Sequence, residues 1–304
     1  MIRVEDVSRS FGSIQAVRKL SFDVPRGEVI GFIGPNGAGK TTTIRLLGAI
    51  LRPNEGRLSV NGFDPVTDGD RVRASIGVLT EGAGLYPNMT ALDNLRFFAE
   101  LYGVDDPGRP AALIESMGLA AHATRRVGGY STGMKKRLGL AKALIHRPPV
   151  LLLDEPTSGL DPEGITMVLE EVHRLARTEG VTVVLCSHIL HQLEMVCDRY
   201  VIINAGHTLA QGTLEELVEE HSSQRTVELE TDLGDDEARQ IASELGVSVS
   251  QVSSGRVRFE VPDVGAIPRV IAAAAGRARV FSAARIGEDL QSVYFRVMEA
   301  NNHE

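Results

Sequence analysis

The chain has little of what would tie it to an oxidising compartment, a bilayer or nucleic acid. Only two of its 304 residues are cysteine, Cys186 and Cys197. Their spacing fits no metal motif, and so few thiols exclude a disulfide framework; both read as buried apolar groups in a reduced compartment. No uninterrupted apolar run approaches the roughly 20 residues of a membrane span. Residues 1–6 lack the apolar core of a signal peptide, so any work at a membrane is expected from outside the bilayer. No basic tract stands out and the net charge is −8, which argues against a sequence-independent grip on nucleic acid. Lysine is scarce, most basic residues being arginine, which makes Lys40 conspicuous. With 43% hydrophobic and 24% charged residues, the composition is that of an ordinary globular protein. The length allows one large domain and a small one, or two medium ones.

What is present is more specific. Gly34-Pro35-Asn36-Gly37-Ala38-Gly39-Lys40-Thr41-Thr42 fits G-x-x-x-x-G-K-[ST], the phosphate-binding P-loop. The apolar run 29–33 before it reads as a buried strand, and 42–51 after it as a helix. Glycines let backbone N–H groups curl around an anion, and the helix points its positive end at the same place. Lys40 can reach β- and γ-phosphates, and the Thr41 hydroxyl can ligate Mg²⁺. A bare glycine-rich turn would not account for the strand and helix on either side.

Two further strands end in chemistry. The run 150–153 leads into Asp154-Glu155-Pro156, a Walker B pattern. Asp154 would hold Mg²⁺ through a water, and Glu155, on the other side of the strand, would face a water in line with the γ-phosphate. The competing reading is two solvated acids at a strand end. The run 181–185 leads into Ser187-His188. Ligands of parallel sheets sit at the carboxyl ends of strands, so His188 could donate to the γ-phosphate. In Tyr130-Ser131-Thr132-Gly133-Met134-Lys135-Lys136-Arg137, Ser131 reads as a helix N-cap. Three basic residues in the first turn oppose the helix dipole by roughly 0.3–1 kcal/mol each. Either an anion binds there or the long side chains extend into water.

Continuous apolar strands imply a parallel sheet covered on both faces, hence a doubly wound α/β domain. Short strands are expected near 3–5, 20–24, 58–60 and 76–79. A helical block from 90 to about 143 interrupts the domain, with Leu92, Leu95, Phe98 and Leu101 at helical spacing. The polar stretch 219–224 reads as a linker. Beyond it the pattern is strand 227–230, helix 236–245, strands 247–252 and 256–261, helix 266–275, strand 279–284 and a closing helix 288–299. The first six elements of that tail suggest a small ferredoxin-like sandwich.

In order along the chain, these elements resemble an ABC transporter ATP-binding subunit: the P-loop, the signature around Ser131, Asp154-Glu155-Pro156-Thr157, the D-loop Ser158-Gly159-Leu160-Asp161, and His188. The resemblance spans residues 1–220, with a helical subdomain at about 85–148, and leaves 221–304 as a small α/β domain. It implies a P-loop ABC ATPase core that binds and hydrolyses ATP with Mg²⁺. Phe11 would stack on adenine. Gly34 to Thr42, with Ser131, Gly133 and Asp161, would hold the nucleotide; Lys40, Glu155 and His188 would act in catalysis. Thr41, Asp154 and Glu81 would face the metal. Two positions depart from the family: the usual Leu-Ser-Gly-Gly-Gln reads Tyr130-Ser131-Thr132-Gly133-Met134, and the Q-loop glutamine is replaced by Glu81. Both variants, and the closing residues 287–294, look like those of bacterial drug and polysaccharide exporters. The resemblance therefore implies a head-to-tail homodimer, a separate transmembrane permease docking near 85–102, and a place on the cytoplasmic face of the membrane. The rival is a soluble ABC ATPase of a cofactor-assembly or other non-transport complex; a P-loop GTPase or small-molecule kinase would leave the signature unexplained.

Overall fold

In the computed structural model, which describes residues 1–80, 82–221, 225–253, 255–286 and 289–301, the unbroken apolar runs become a covered sheet. The strands of the larger unit are β1 (Ile2–Phe11), β2 (Ile14–Val24), β3 (Val29–Ile33), β4 (Glu55–Val60), β5 (Ile76–Leu79), β6 (Val150–Asp154), β7 (Thr182–Cys186), β8 (Arg199–Asn204) and β9 (His207–Gly212). Six form one sheet in the order β5-β6-β7-β3-β8-β9, parallel except for β8 against β9. Every residue of β3, β6 and β7 is buried, as a parallel sheet clad on both faces requires. Helix Pro162–Glu179 supplies part of the cladding through Val168, Leu169, Val172 and Leu175.

A second sheet, β2-β1-β4, is antiparallel. Its inward residues Ile2, Val4, Leu20 and Phe22 share one core with Phe32, Val184 and Cys186 of the main sheet. Both β1 and β2 are longer than their alternation suggests. Register shifts at Val4/Val7, Val7/Arg9 and Arg9/Ser10, with left-handed residues at Asp6 and Lys19, break the period-two signal.

The expected helical block is three α-helices, Ala91–Leu101, Arg109–Ser116 and Thr132–Ala143, the last two linked through two 3-10 turns at Ala120–His122 and Val127–Gly129. Gly103 and Gly118, both at positive φ, follow the first two. Thr90 caps the first by accepting from the Asp93 N–H. The P-loop helix runs Lys40–Leu47, two residues earlier at its start than the apolar pattern indicates.

The smaller unit is Glu215–Arg296; the larger comprises Met1–Leu214 together with the stretch from Val297. The division thus falls before 220. Residues 219–221, read as linker, belong to helix Leu214–His221. Leu217 and Val218 are buried, and Glu215 and Glu216 in the first turn suit the dipole; residues 222–224 lie outside the described residues. The smaller unit places β10 (Arg225–Thr231), helix Asp235–Leu245, β11 (Ser248–Ser253), β12 (Arg256–Val261), helix Ile267–Ala275 and β13 (Val280–Ile286) in the order read from the sequence. Its antiparallel sheet runs β11-β12-β10-β13 over a core of Val227, Leu229, Ile241, Phe259 and Val270. The closing helix is Leu290–Asn301.

Candidate active site

Because β6, β7 and β3 are parallel neighbours, their carboxyl ends open on one edge, and each runs directly into a motif. After β3 the chain turns at Gly34, where an added Cβ would stand 2.4 Å from the Ile203 carbonyl oxygen. Gly39 has φ 106°, and a Cβ there would stand 2.5 Å from the Ala16 oxygen. Only glycine fits both places. No side chain caps the helix that begins at Lys40, which leaves its first N–H groups without a capping acceptor, as an anion site needs.

The buried Lys40 ammonium donates to the carbonyls of Gly34 (2.6 Å) and Pro35 (3.0 Å), folding back over the loop. The Thr41 hydroxyl donates to Asp154 Oδ2 at 2.8 Å, which brings the P-loop and the end of β6 together. Glu155 has left the strand: its φ is 51°, its N–H donates to the Cys186 carbonyl, and its Oε2 lies 2.9 Å from His188 Nδ1. The expected strand alternation therefore does not aim Glu155; a left-handed turn and a pairing with the end of β7 do. Thr157, just beyond, donates to Gln192 Oε1 at 2.5 Å. Complete burial, reinforced by the charge of Asp154, pushes the Cys186 thiol far up, so it is a wall of the site rather than a nucleophile.

Ser131, Gly133 and Asp161 gather in a second cluster. The Ser131 hydroxyl accepts from the Met134 N–H (3.2 Å) and Asp161 Oδ1 from the Gly164 N–H (3.1 Å), capping their helices. A Cβ on Gly133 would meet the Leu160 side chain at 3.1 Å, and one on Gly159 would meet Thr132 at 3.1 Å. Among the described residues, no hydrogen bond joins Ser131 or Asp161 to residues 34–42. The basic first turn does not simply extend into water. Lys136 is buried and donates to the Glu155 carbonyl at 3.1 Å, and Arg137 donates to the Met117 carbonyl at 2.9 Å. Phe11 is exposed on the β1–β2 hairpin, with the Arg9 guanidinium 4.8 Å from its ring centre. Glu81 lies outside the described residues.

Among the described residues no three His, Cys, Asp or Glu side chains converge as a metal cluster. Thr41 and Asp154 offer a hydroxyl and a carboxylate in contact, a hard-oxygen pair that fits Mg²⁺, which usually takes one or two protein ligands and completes its shell with phosphates and water.

These elements have known counterparts. A family model described as ABC transporter matches residues 17–158. The chain is 40% identical over 232 residues to the ABC transporter ATP-binding protein NatA of Bacillus subtilis (strain 168), covering 74% of this chain and 94% of NatA. The chain belongs to the ATP-binding subunits of ABC transporters. This ABC ATPase is also 38% identical over 211 residues to the bacitracin transport ATP-binding protein BcrA of Bacillus licheniformis, covering 69% of each chain. Among solved structures it resembles the ATP-binding subunit of an ABC transporter, with 30% identity and a TM-score of 0.68 over 72% of this chain and 92% of that one. Its fold also matches the dimeric post-hydrolysis state of the ATP-binding cassette MJ0796 bound to ADP and Pi, at 23% identity and a TM-score of 0.65, covering 70% of this chain and 98% of that one. The ABC ATPase is accordingly an ATP hydrolase with a mixed α/β P-loop core. Among the described residues no helix is long and apolar enough to cross a membrane.

Proposed function

We propose that this ABC ATPase powers an exporter by closing as a head-to-tail pair around ATP, with a separate permease chain forming the membrane path. The carrying observation is that the nucleotide groups fall into two clusters: the P-loop with Asp154, Glu155 and His188, and Ser131, Gly133 and Asp161 apart from it. Each ATP would lie between one copy's P-loop and the other copy's Ser131–Gly133. ATP then favours the closed pair because only that state offers both sets of contacts. The dimeric state of MJ0796 supports such a pairing, and the bacitracin-transport relative supports export.

In this reading the uncapped helix N-terminus and Lys40 hold the phosphates, and Phe11 stacks on adenine, its opposite face available to Arg9. Glu155 accepts the proton of the attacking water, with His188 holding the carboxylate and facing the γ-phosphate. Thr41 and Asp154 would hold Mg²⁺, which when bound neutralises charge at the phosphates; from its place in the sequence we also assign Glu81 to that metal. The smaller unit we read as a ferredoxin-like module.

The permease is assigned to the helical region. Tyr86, Phe97, Leu101 and Tyr102 are exposed there, Leu101 at 66%. A cavity of about 200 Å³ beside them is lined by Ile50, Val78, Phe98, Tyr102, Lys142 and His146 among others. Apolar exposure on this scale beside a cavity marks a partner surface. The test is co-expression with a candidate permease, a chain of about six apolar spans, where a neighbouring gene encodes one. The wild type is expected to co-purify with it and Leu101→Glu to lose it while hydrolysing ATP normally. Equal recovery of both would remove the assignment.

A further inference from the structure

Lysine is rare in this chain, and one of the few is spent in the interior. Lys136 is 4% exposed, one turn into helix Thr132–Ala143, which Ser131 caps and Gly133 helps to begin. Its ammonium reaches out of that helix to two carbonyls on other segments: Glu155, at 3.1 Å, and Thr80, at 3.5 Å. Thr80 closes the segment after β5; Glu155 follows β6. Three chain segments needed at the site thus meet on one cation, which a lysine with three donors can serve at once.

The peptide it holds is a strained one. Glu155 sits at φ 51°, in the left-handed region that a residue with a side chain enters only at a cost. Such a conformation persists when the surroundings fix it. The Glu155 N–H is tied to Cys186, its carboxylate meets His188, and its carbonyl accepts from Lys136 at 3.1 Å and, within the turn, from the Ser158 N–H at 3.3 Å. The first two ties come from β7 and the residues just after it. Lys136 alone among these ties comes from the signature helix. Without it the carbonyl keeps only the longer local bond from the Ser158 N–H, the peptide loses its tie to another segment, and the carboxylate direction changes as the turn relaxes.

We infer that Lys136 is a positioning residue for hydrolysis: it locks the Glu155 peptide in the left-handed turn that aims the carboxylate, and so makes the alignment of the base depend on the signature helix. This rests on the reading of Glu155 as the proton acceptor. It asks nothing of Lys136 in nucleotide binding, since the ammonium contacts neither the P-loop nor Thr41 among the described hydrogen bonds.

The test uses the full chain with Lys136→Met, which keeps the stem and removes the donors, and Lys136→Arg, which restores donors at similar reach. Steady-state phosphate release gives kcat and KM, and binding of a fluorescent ATP analogue reports the P-loop. Lys136→Met is expected to lower kcat by about tenfold to a hundredfold, the scale of misplacing a catalytic group by about an ångström. KM and analogue affinity should stay within about twofold, and Lys136→Arg should recover most of the rate. In a Glu155→Gln background the same substitution should have no further effect, because there is no base left to aim. Wild-type kcat in Lys136→Met overturns the inference, as does an equal loss in both backgrounds. If Lys136→Met loses analogue binding through misfolding, Lys136→Gln takes its place in both backgrounds and is judged by the same two outcomes. Failure of the underlying reading looks different: Glu155→Gln would then turn over normally by itself.

Discussion

Replacing Glu155 by glutamine removes one proton acceptor and leaves in place what holds it. The backbone at φ 51° keeps its N–H bond to Cys186 and its carbonyl bond to Lys136, and the amide, equal in size, still reaches His188 Nδ1. No cavity opens and no buried charge loses a partner, so the fold and nucleotide affinity should be those of the wild type. The lost general base is worth about 10²–10⁴ in rate, or about 2.7–5.4 kcal/mol in the barrier. The assay pairs phosphate release at saturating Mg-ATP with equilibrium binding of a fluorescent ATP analogue. Turnover should fall by at least a hundredfold with binding within about twofold. Analytical ultracentrifugation with ATP should show the variant accumulating as a dimer, because hydrolysis no longer removes the contacts that close it. Turnover within threefold of wild type at intact binding would refute the assignment of Glu155, and with it the role given to His188.

Two further substitutions separate roles that overlap in the structure. Ser131→Asp keeps a good N-cap toward the Met134 N–H, so thermal stability should hold, but it sets a carboxylate where the partner copy's phosphate is expected. P-loop binding should survive and turnover should fall more than tenfold; unchanged turnover would remove Ser131 from the site. His146 tests the cavity by pH. Its Nε2 lies 3.0 Å from the Ile76 carbonyl, to which it donates, its ring stacks on Tyr102, and its Nδ1 is buried with no hydrogen-bond partner among the described residues. Burial above all, with Arg109 adding to it against the Ile76 contact, lowers its pKa. The unfolded chain therefore takes up this proton first as pH falls through about 6.5, and the stability that neutral His146 contributes is present above that pH and lost below it. His146→Gln should flatten the decline of Tm between pH 7 and 5.5; an unchanged slope would show that His146 does not titrate this way.

How far the sequence is legible depends on whether the determining interaction is local. The P-loop reads well because glycines at Gly34 and Gly39, a strand before and a helix after are all set within about twenty residues. The cap at Ser131 reads for the same reason, its side chain bonding three residues ahead. The β1–β2 hairpin reads poorly, because register shifts and left-handed residues erase the alternation a strand normally shows. Helix Leu214–His221 was hidden by its acidic surface, two buried residues in eight being too few to outweigh it in pattern. Lys136 carried only a compositional signal, its rarity, and nothing in the local sequence says that its ammonium ends on Glu155.

By itself, then, the sequence determined the nucleotide chemistry, since the residue types at each strand end restrict what can bind there: an anion at an uncapped helix start, a hard cation beside a threonine and an aspartate. Tertiary structure decided which of those groups meet. Thr41 and Asp154 are 113 residues apart and touch only because β6, β7 and β3 pair as parallel neighbours with matching carboxyl ends. Glu155 reaches His188 for the same reason, across the β6–β7 pairing rather than along one strand. Strand order and register are set by burial of whole apolar faces, a property summed over the core, so they leave no mark at the catalytic positions themselves.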